Sequence, residues 1–208
     1  MRKKKSLGQH FLNDMSIAKA IVDGLQLPED EQTTVFEIGP GEGVLTQYLV
    51  CKTNINFYAI ELDRRLPAFL TNQYPLLSNR LIHADVLKVN FEDYTTGSFA
   101  VIGNFPYNIS SQIIFKLIDY KSQVTQMVGM FQKEVAERIA APHGSRTYGV
   151  ISVLSQLYFK PTYLFEVSSD KFTPPPKVQS AVIRLDRRYD YETQVNYSDF
   201  KKVVKQAF

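Results

Sequence analysis

Thr33-Thr34-Val35-Phe36-Glu37-Ile38-Gly39-Pro40-Gly41-Glu42-Gly43 is the stretch on which the reading of the fold turns. Its first six residues read as a strand. Glycines at alternate positions follow, and the apolar run 44–52 predicts a helix. Strand, glycine turn and helix make the nucleotide-binding unit of doubly wound α/β folds, in which the glycines let a ligand approach the backbone closely. The spacing here is G-x-G-x-G. It lacks the third glycine of G-x-G-x-x-G and carries Glu42, and both features speak against a dinucleotide and its pyrophosphate.

Working outward, residues 56–63 read as a second strand with an acid at its end. Glu61 lies 22 residues past Gly39, the spacing at which a carboxylate takes ribose hydroxyls. A helix is expected over 64–74, with Pro67 tolerated in its first turn. Residues 80–87 read as a third strand, where Asp85 can meet an adenine amino group. A glycine loop followed by acids ending strands two and three places all three on one rim of a parallel sheet.

The fourth strand, Ala100-Val101-Ile102-Gly103, runs into Asn104-Phe105-Pro106-Tyr107-Asn108-Ile109-Ser110. Ser110 is the expected N-cap of the next helix. One polar side chain and two rings are delivered to the sheet edge. That suits methylation of an exocyclic amine on a nucleobase. Such an amine needs no prior deprotonation, only acceptors for its two N–H bonds. The Asn104 side-chain oxygen can be one and the Phe105 backbone carbonyl the other, with Pro106 stiffening the turn. Tyr107 offers a stacking face worth roughly 1–3 kcal/mol. An ordinary Asn-Pro turn at a strand end is the plain alternative.

Further along, the sequence predicts a helix over 111–120, a strand over 125–131, an amphipathic helix over 132–140, a polar loop over 142–149 near the same rim, a helix over 150–159 and strands over 162–167 and 180–185. In Lys171-Phe172-Thr173-Pro174-Pro175-Pro176-Lys177-Val178 three prolines fix an extended segment. Phe172 is either held exposed, to close the other face of a flipped base opposite Tyr107, or belongs to a rigid connector. At the C-terminus Phe200, Val203, Val204, Ala207 and Phe208 make an apolar stripe on a helix starting at Ser198, with no partner for the stripe in sight. Residues 1–30 are read as an N-terminal lid segment and helix, 31–190 as the main α/β domain and 191–208 as the start of a truncated helical domain.

The 208 residues are 44% hydrophobic and 12% aromatic, enough for a sizeable core. A single cysteine, Cys51, excludes an internal disulfide and points to the cytoplasm. No apolar stretch is long enough to span a membrane, and no cluster suggests a metal. Net charge is +3, with basic clusters at Arg2–Lys5, Arg187-Arg188 and Lys201-Lys202-Lys205. These fit a nucleic-acid partner or, equally, solvated termini.

Together Gly8-Gln9-His10-Phe11-Leu12, Glu37 to Gly43, Glu61-Leu62-Asp63, Ala84-Asp85, Asn104 to Ser110, Gln132-Lys133-Glu134 and Phe172 to Val178 closely resemble the KsgA family of S-adenosylmethionine-dependent ribosomal RNA adenine dimethyltransferases. The resemblance implies a Rossmann-like α/β methyltransferase fold, a seven-stranded mostly parallel sheet with one antiparallel strand and helices on both faces. It implies that His10 and Leu12 touch the methyl donor from the lid, and that Gly39, with Gly41, meets its methionine end. Glu61 with Leu62 would take the ribose, and Asp85 with Val86 the donor adenine. Asn104 would bind donor and target base, the Asn104-Phe105-Pro106-Tyr107 turn would carry the chemistry, and Tyr107 and Phe172 would sandwich the target adenine. The implied substrate is a pair of adjacent adenosines in the 3′-terminal hairpin loop of 16S RNA, within a small-subunit assembly particle, and the implied enzyme is a monomer. Relatives continue past the position of Phe208 into a basic helical domain, so the chain is expected to bind the donor normally and to grip RNA poorly. The rivals are an Erm-type methyltransferase of 23S RNA, a non-catalytic assembly factor on the same fold, and a nicotinamide dehydrogenase.

Overall fold

A computed structural model describes residues 10–190 and 196–208. The basic cluster at 2–5 and the start of the lid motif, Gly8-Gln9, lie outside the described residues. The elements in chain order are β1 (Phe11–Leu12), α1 (Met15–Asp23), β2 (Thr33–Ile38), α2 (Thr46–Leu49), β3 (Ile55–Glu61), α3 (Pro67–Gln73), β4 (Leu81–His83), β5 (Phe99–Asn104), α4 (Ser110–Asp119), β6 (Val124–Gln132), α5 (Lys133–Ala140), α6 (Val150–Tyr158), β7 (Phe159–Val167), β8 (Phe172–Thr173), β9 (Ser180–Arg187) and α7 (Tyr197–Ala207).

Seven strands form one sheet in the order β4-β3-β2-β5-β6-β9-β7. β2, β3, β4, β5 and β6 pair in parallel, and β9 runs antiparallel to both neighbours, β6 and β7. The central strands are buried on both faces, and alternate residues serve opposite layers. Phe36, Val101 and Met127 pack into one core, while Val35, Ala100, Ile102 and Val128 pack into the other. The first core is densely aromatic: Phe36 lies 4.9 Å from Phe91 and 5.3 Å from Phe99, both edge-on. Chain order reverses at the β2–β5 boundary, where ligands of doubly wound sheets bind beyond the strand ends.

Several local expectations shift. The helix expected over 44–52 is regular only at Thr46–Leu49, with turns on either side. The third strand ends early, at His83. Asp85 ends it: its carboxylate accepts from Leu87 N at 3.0 Å while Lys88 N returns to its carbonyl at 2.8 Å, so the chain turns there. Ser110 is not the N-cap of α4. It is the first helical residue, and its hydroxyl donates back to Tyr107 O at 3.2 Å. Asp14 caps α1, accepting from Ser16 N and Ile17 N. Residues 142–149 line none of the cleft described below, and Tyr148 instead meets Phe208.

The stripe on α7 does have a partner. Val204 is buried and Phe200 packs against the core, while Val203 and Phe208 stay largely exposed. Among the described residues no helix is long and apolar enough to cross a membrane. No group of three or more His, Cys, Asp or Glu among them is placed to hold a metal ion.

Candidate active site

A cleft lies at the carboxyl ends of β2, β3 and β5 and the turn after β4. Its lining includes His10, Leu12, Glu37, Gly39, Gly41, Glu61, Leu62, Asp85, Val86, Asn104, Phe105, Pro106 and Tyr107. Every residue expected in the site from the sequence is therefore brought together, with one exception.

The exception is Phe172. It is 2% exposed, packs within the second core beside Leu12, and is absent from the cleft lining. The expectation that it stands exposed opposite Tyr107 is corrected. The reason is a pairing that the sequence does not announce. β1 and β8 form a two-stranded antiparallel ribbon, with Leu12 opposite Phe172 and Phe11 opposite Thr173. Asn13 N donates to Lys171 O at 2.8 Å, Lys171 pairs with Asp14 at 3.1 Å, and His10 Nδ1 meets Pro174 O at 2.8 Å. The N-terminal segment is thus strapped to the proline loop, and the strap turns Phe172 inward.

The glycine loop floors the cleft. Gly39, Gly41 and Gly43 all have positive φ, at 68°, 59° and 88°, where side chains are strained. At Gly41 space is also tight: a Cβ would sit 3.0 Å from the edge of the Phe11 ring of the strap, which would have to shift. The Glu61 carboxylate reaches back to this loop, accepting from Gly41 N at 3.2 Å and, at its other oxygen, from Asp63 N at 2.7 Å. Burial raises its pKa. Glu37 is the residue that sequence reasoning passed over. It is 1% exposed inside β2, accepts from Thr46 Oγ1 at 2.6 Å, and is pushed up to about 8 by burial, with the nearby Glu61 charge adding to the rise. The available signal was an acid standing alone in a strand that is otherwise buried.

At β5 the chain delivers Asn104 half-buried at the cleft. Its Nδ2 donates to His10 O at 3.1 Å, which leaves Oδ1 as the acceptor without a protein donor among the described residues. Phe105 is 1% exposed. Its ring meets Phe131 edge-on at 5.2 Å, and a Cβ on Gly129 would come within 2.3 Å of it. The ring is an anchor, so Phe105 can offer the cleft its backbone carbonyl. The Tyr107 hydroxyl is 2.5 Å from Ser180 Oγ. The His10 ring stacks on Tyr107 with centroids 5.4 Å apart and planes 24° from parallel.

The described lining holds three carboxyl groups, one imidazole and no Lys or Arg. Such a cleft suits a ligand with hydroxyls and positive charge and disfavours a pyrophosphate. The family model for ribosomal RNA adenine dimethylase matches residues 1–208. The chain belongs to the ribosomal RNA adenine dimethylase family. Among curated relatives of this dimethylase, ribosomal RNA small subunit methyltransferase A of Cytophaga hutchinsonii is 49% identical over 208 residues, covering all of this chain and 80% of the relative. The protein of the same name from Flavobacterium johnsoniae is 49% identical over 209 residues, with coverage of 100% and 79%. Of solved structures, a dimethyladenosine transferase from Plasmodium falciparum superposes with a TM-score of 0.81 at 28% identity, over 94% of this chain and 70% of that one. The 23S rRNA methyltransferase ErmE superposes with a TM-score of 0.77 at 26% identity, over 94% and 77%. The dimethylase is an enzyme that depends on S-adenosylmethionine.

Proposed function

We propose that this dimethylase methylates N6 of two adjacent adenosines in the 3′-terminal hairpin loop of 16S RNA, acting as a cytoplasmic monomer on a small-subunit assembly particle. Support for the small subunit over an Erm-type substrate comes from similarity: 49% identity to small-subunit enzymes against 26% to ErmE. Support for the chemistry comes from one observation above the others. Asn104 stands at the end of β5 with Oδ1 unengaged among the described residues, beside a Phe105 carbonyl held by an anchored ring.

The cleft fits S-adenosylmethionine. A sulfonium and an ammonium suit a described lining that holds Glu61 and Asp85 and no Lys or Arg, and Gly41 keeps the backbone bare beneath the strap. Glu61 would hold the ribose hydroxyls, Asp85 with Val86 the adenine, and Gly39 and Gly41 the methionine end, with His10, Leu12 and Leu62 along the walls. When bound, the donor supplies an electrophilic methyl group. Tyr107 receives the target base on its ring, taking the face that the His10 imidazole covers. Asn104 Oδ1 and the Phe105 carbonyl accept the two N6–H bonds and favour a pyramidal nitrogen, whose lone pair is then less delocalised into the base. Loop adenines are already unpaired, so bringing one into the cleft costs little.

The test is transfer of labelled methyl groups to small subunits lacking these modifications, to deproteinised 16S RNA and to large-subunit RNA. Label is expected in small-subunit adenine. Asn104→Ala should cut the rate by about 100-fold, the scale of losing one positioned hydrogen-bonding group from a transition state. Label confined to large-subunit RNA overturns the substrate, and an Asn104→Ala variant as active as the parent overturns the mechanism.

A further inference from the structure

We propose that Ser180 is a positioning residue for the target base, acting through the hydroxyl of Tyr107. The inference rests on the reading of Tyr107 as the stacking platform. Ser180 is fully buried at the first position of β9. It is paired across the sheet on both sides, with Gln132 of β6 and Val167 of β7. Two ladders therefore fix its Cα, and its hydroxyl is a rigid reference point.

Tyr107 has the opposite situation. It sits on the turn between β5 and α4, where backbone alone leaves a ring free to swing about two side-chain torsions. Two contacts fix the backbone from which the ring springs, and a third acts on the ring itself. Ile109 N donates to Pro106 O at 3.1 Å and closes the turn. Ser110 Oγ donates to the Tyr107 carbonyl. At the far end of the ring the phenol meets Ser180 Oγ at 2.5 Å. Burial raises the phenol's pKa, so it stays protonated and can donate this bond at neutral pH. The backbone end of Tyr107 is held by α4 and the hydroxyl end by β9. The face that His10 covers is the one a base takes in its place, and the plane of the ring is set by the sheet. A base stacked on that face inherits the orientation. This matters because its N6 must lie against Asn104 Oδ1 and the Phe105 carbonyl at the same time. Ser180 lines none of the cleft, so it acts on a base only through Tyr107.

The experiment is a double-mutant cycle in steady-state methyl transfer on small subunits, with the variants Ser180→Ala, Tyr107→Phe, the pair, and Tyr107→Ala. Ser180→Ala and Tyr107→Phe should each lower kcat/KM for the RNA roughly two- to tenfold, the scale of one neutral hydrogen bond. The pair should be no worse than either alone, and the thermal shift given by S-adenosylhomocysteine should match the parent's. Losses that multiply in the pair overturn the proposal. So does a Ser180→Ala variant whose melting temperature falls while kcat/KM, measured well below it, equals the parent's. Tyr107→Ala separates the two levels: parental activity in that variant overturns the platform reading itself.

Discussion

Burying Glu37 inside β2 takes a carboxyl group from water into the sheet, where the Thr46 hydroxyl donates to it. Burial pushes the group up to about 8 from its ordinary 4.5. Raised in the folded state, the pKa contributes stability that is full below about 4.5 and is lost as pH rises through about 8. Glutamine mimics the protonated form and does not titrate. The melting temperature of Glu37→Gln should therefore match the parent's near pH 4 and exceed it increasingly towards pH 9. The gap should reach a few kcal/mol, since each tenfold change in proton affinity is worth about 1.4 kcal/mol. Parallel curves for the two proteins would show that Glu37 is charged in the fold. Glu61, also raised by burial, is present in both proteins.

At the scale of elements, the β1–β8 strap explains both a covered cleft and an inward Phe172. Its ladder is two residue pairs long, and its ion pair, Asp14 with Lys171, is partly exposed and contributes little. The apolar layer beneath it, Leu12 and Phe172, holds the strap down. Removing that layer should be costly. Phe172→Ala is expected to destabilise the fold by roughly 3–5 kcal/mol, as for a buried aromatic truncated in a core, measured by chemical denaturation. An exposed stacking ring would instead leave stability unchanged and weaken only RNA methylation. That second pattern would restore Phe172 to the base-binding face.

At the scale of the whole molecule, the order β4-β3-β2-β5-β6-β9-β7 puts the glycine loop, the two rim acids and the Asn104 turn at one reversal of chain order. Residues from 10 to 109 then share a cleft because parallel strands all end on one rim. A ligand filling that cleft links the strap to four strands and should stabilise the entire domain. S-adenosylhomocysteine at 100 times its dissociation constant should add roughly 2.7 kcal/mol, or about 5–10 °C of melting temperature for a chain of this size. NAD should add nothing. A rise with NAD alone would reinstate the dinucleotide reading that the G-x-G-x-G spacing and the carboxyl-rich lining oppose.

What the sequence determined is local and periodic. Runs such as Val35 to Ile38 and Ala100 to Ile102 are legible as strands because both of their faces are buried. The positive-φ turns of Gly39, Gly41 and Gly43 are legible because only glycine adopts them freely. Glu61, Asp85 and Asn104 are legible because each stands directly behind an apolar run. The tertiary structure alone decided the contacts made between distant segments. His10 meets Pro174 across 164 positions and Tyr107 meets Ser180 across 73. Neither partner carries a local mark of the other. The direction Phe172 faces depends on which strand it pairs with, and a one-residue change of register would turn the ring over. The burial of Glu37 needed both neighbouring strands, β3 and β5, in place. Pairing of this kind is settled by the packing of whole elements, which no short window of sequence contains.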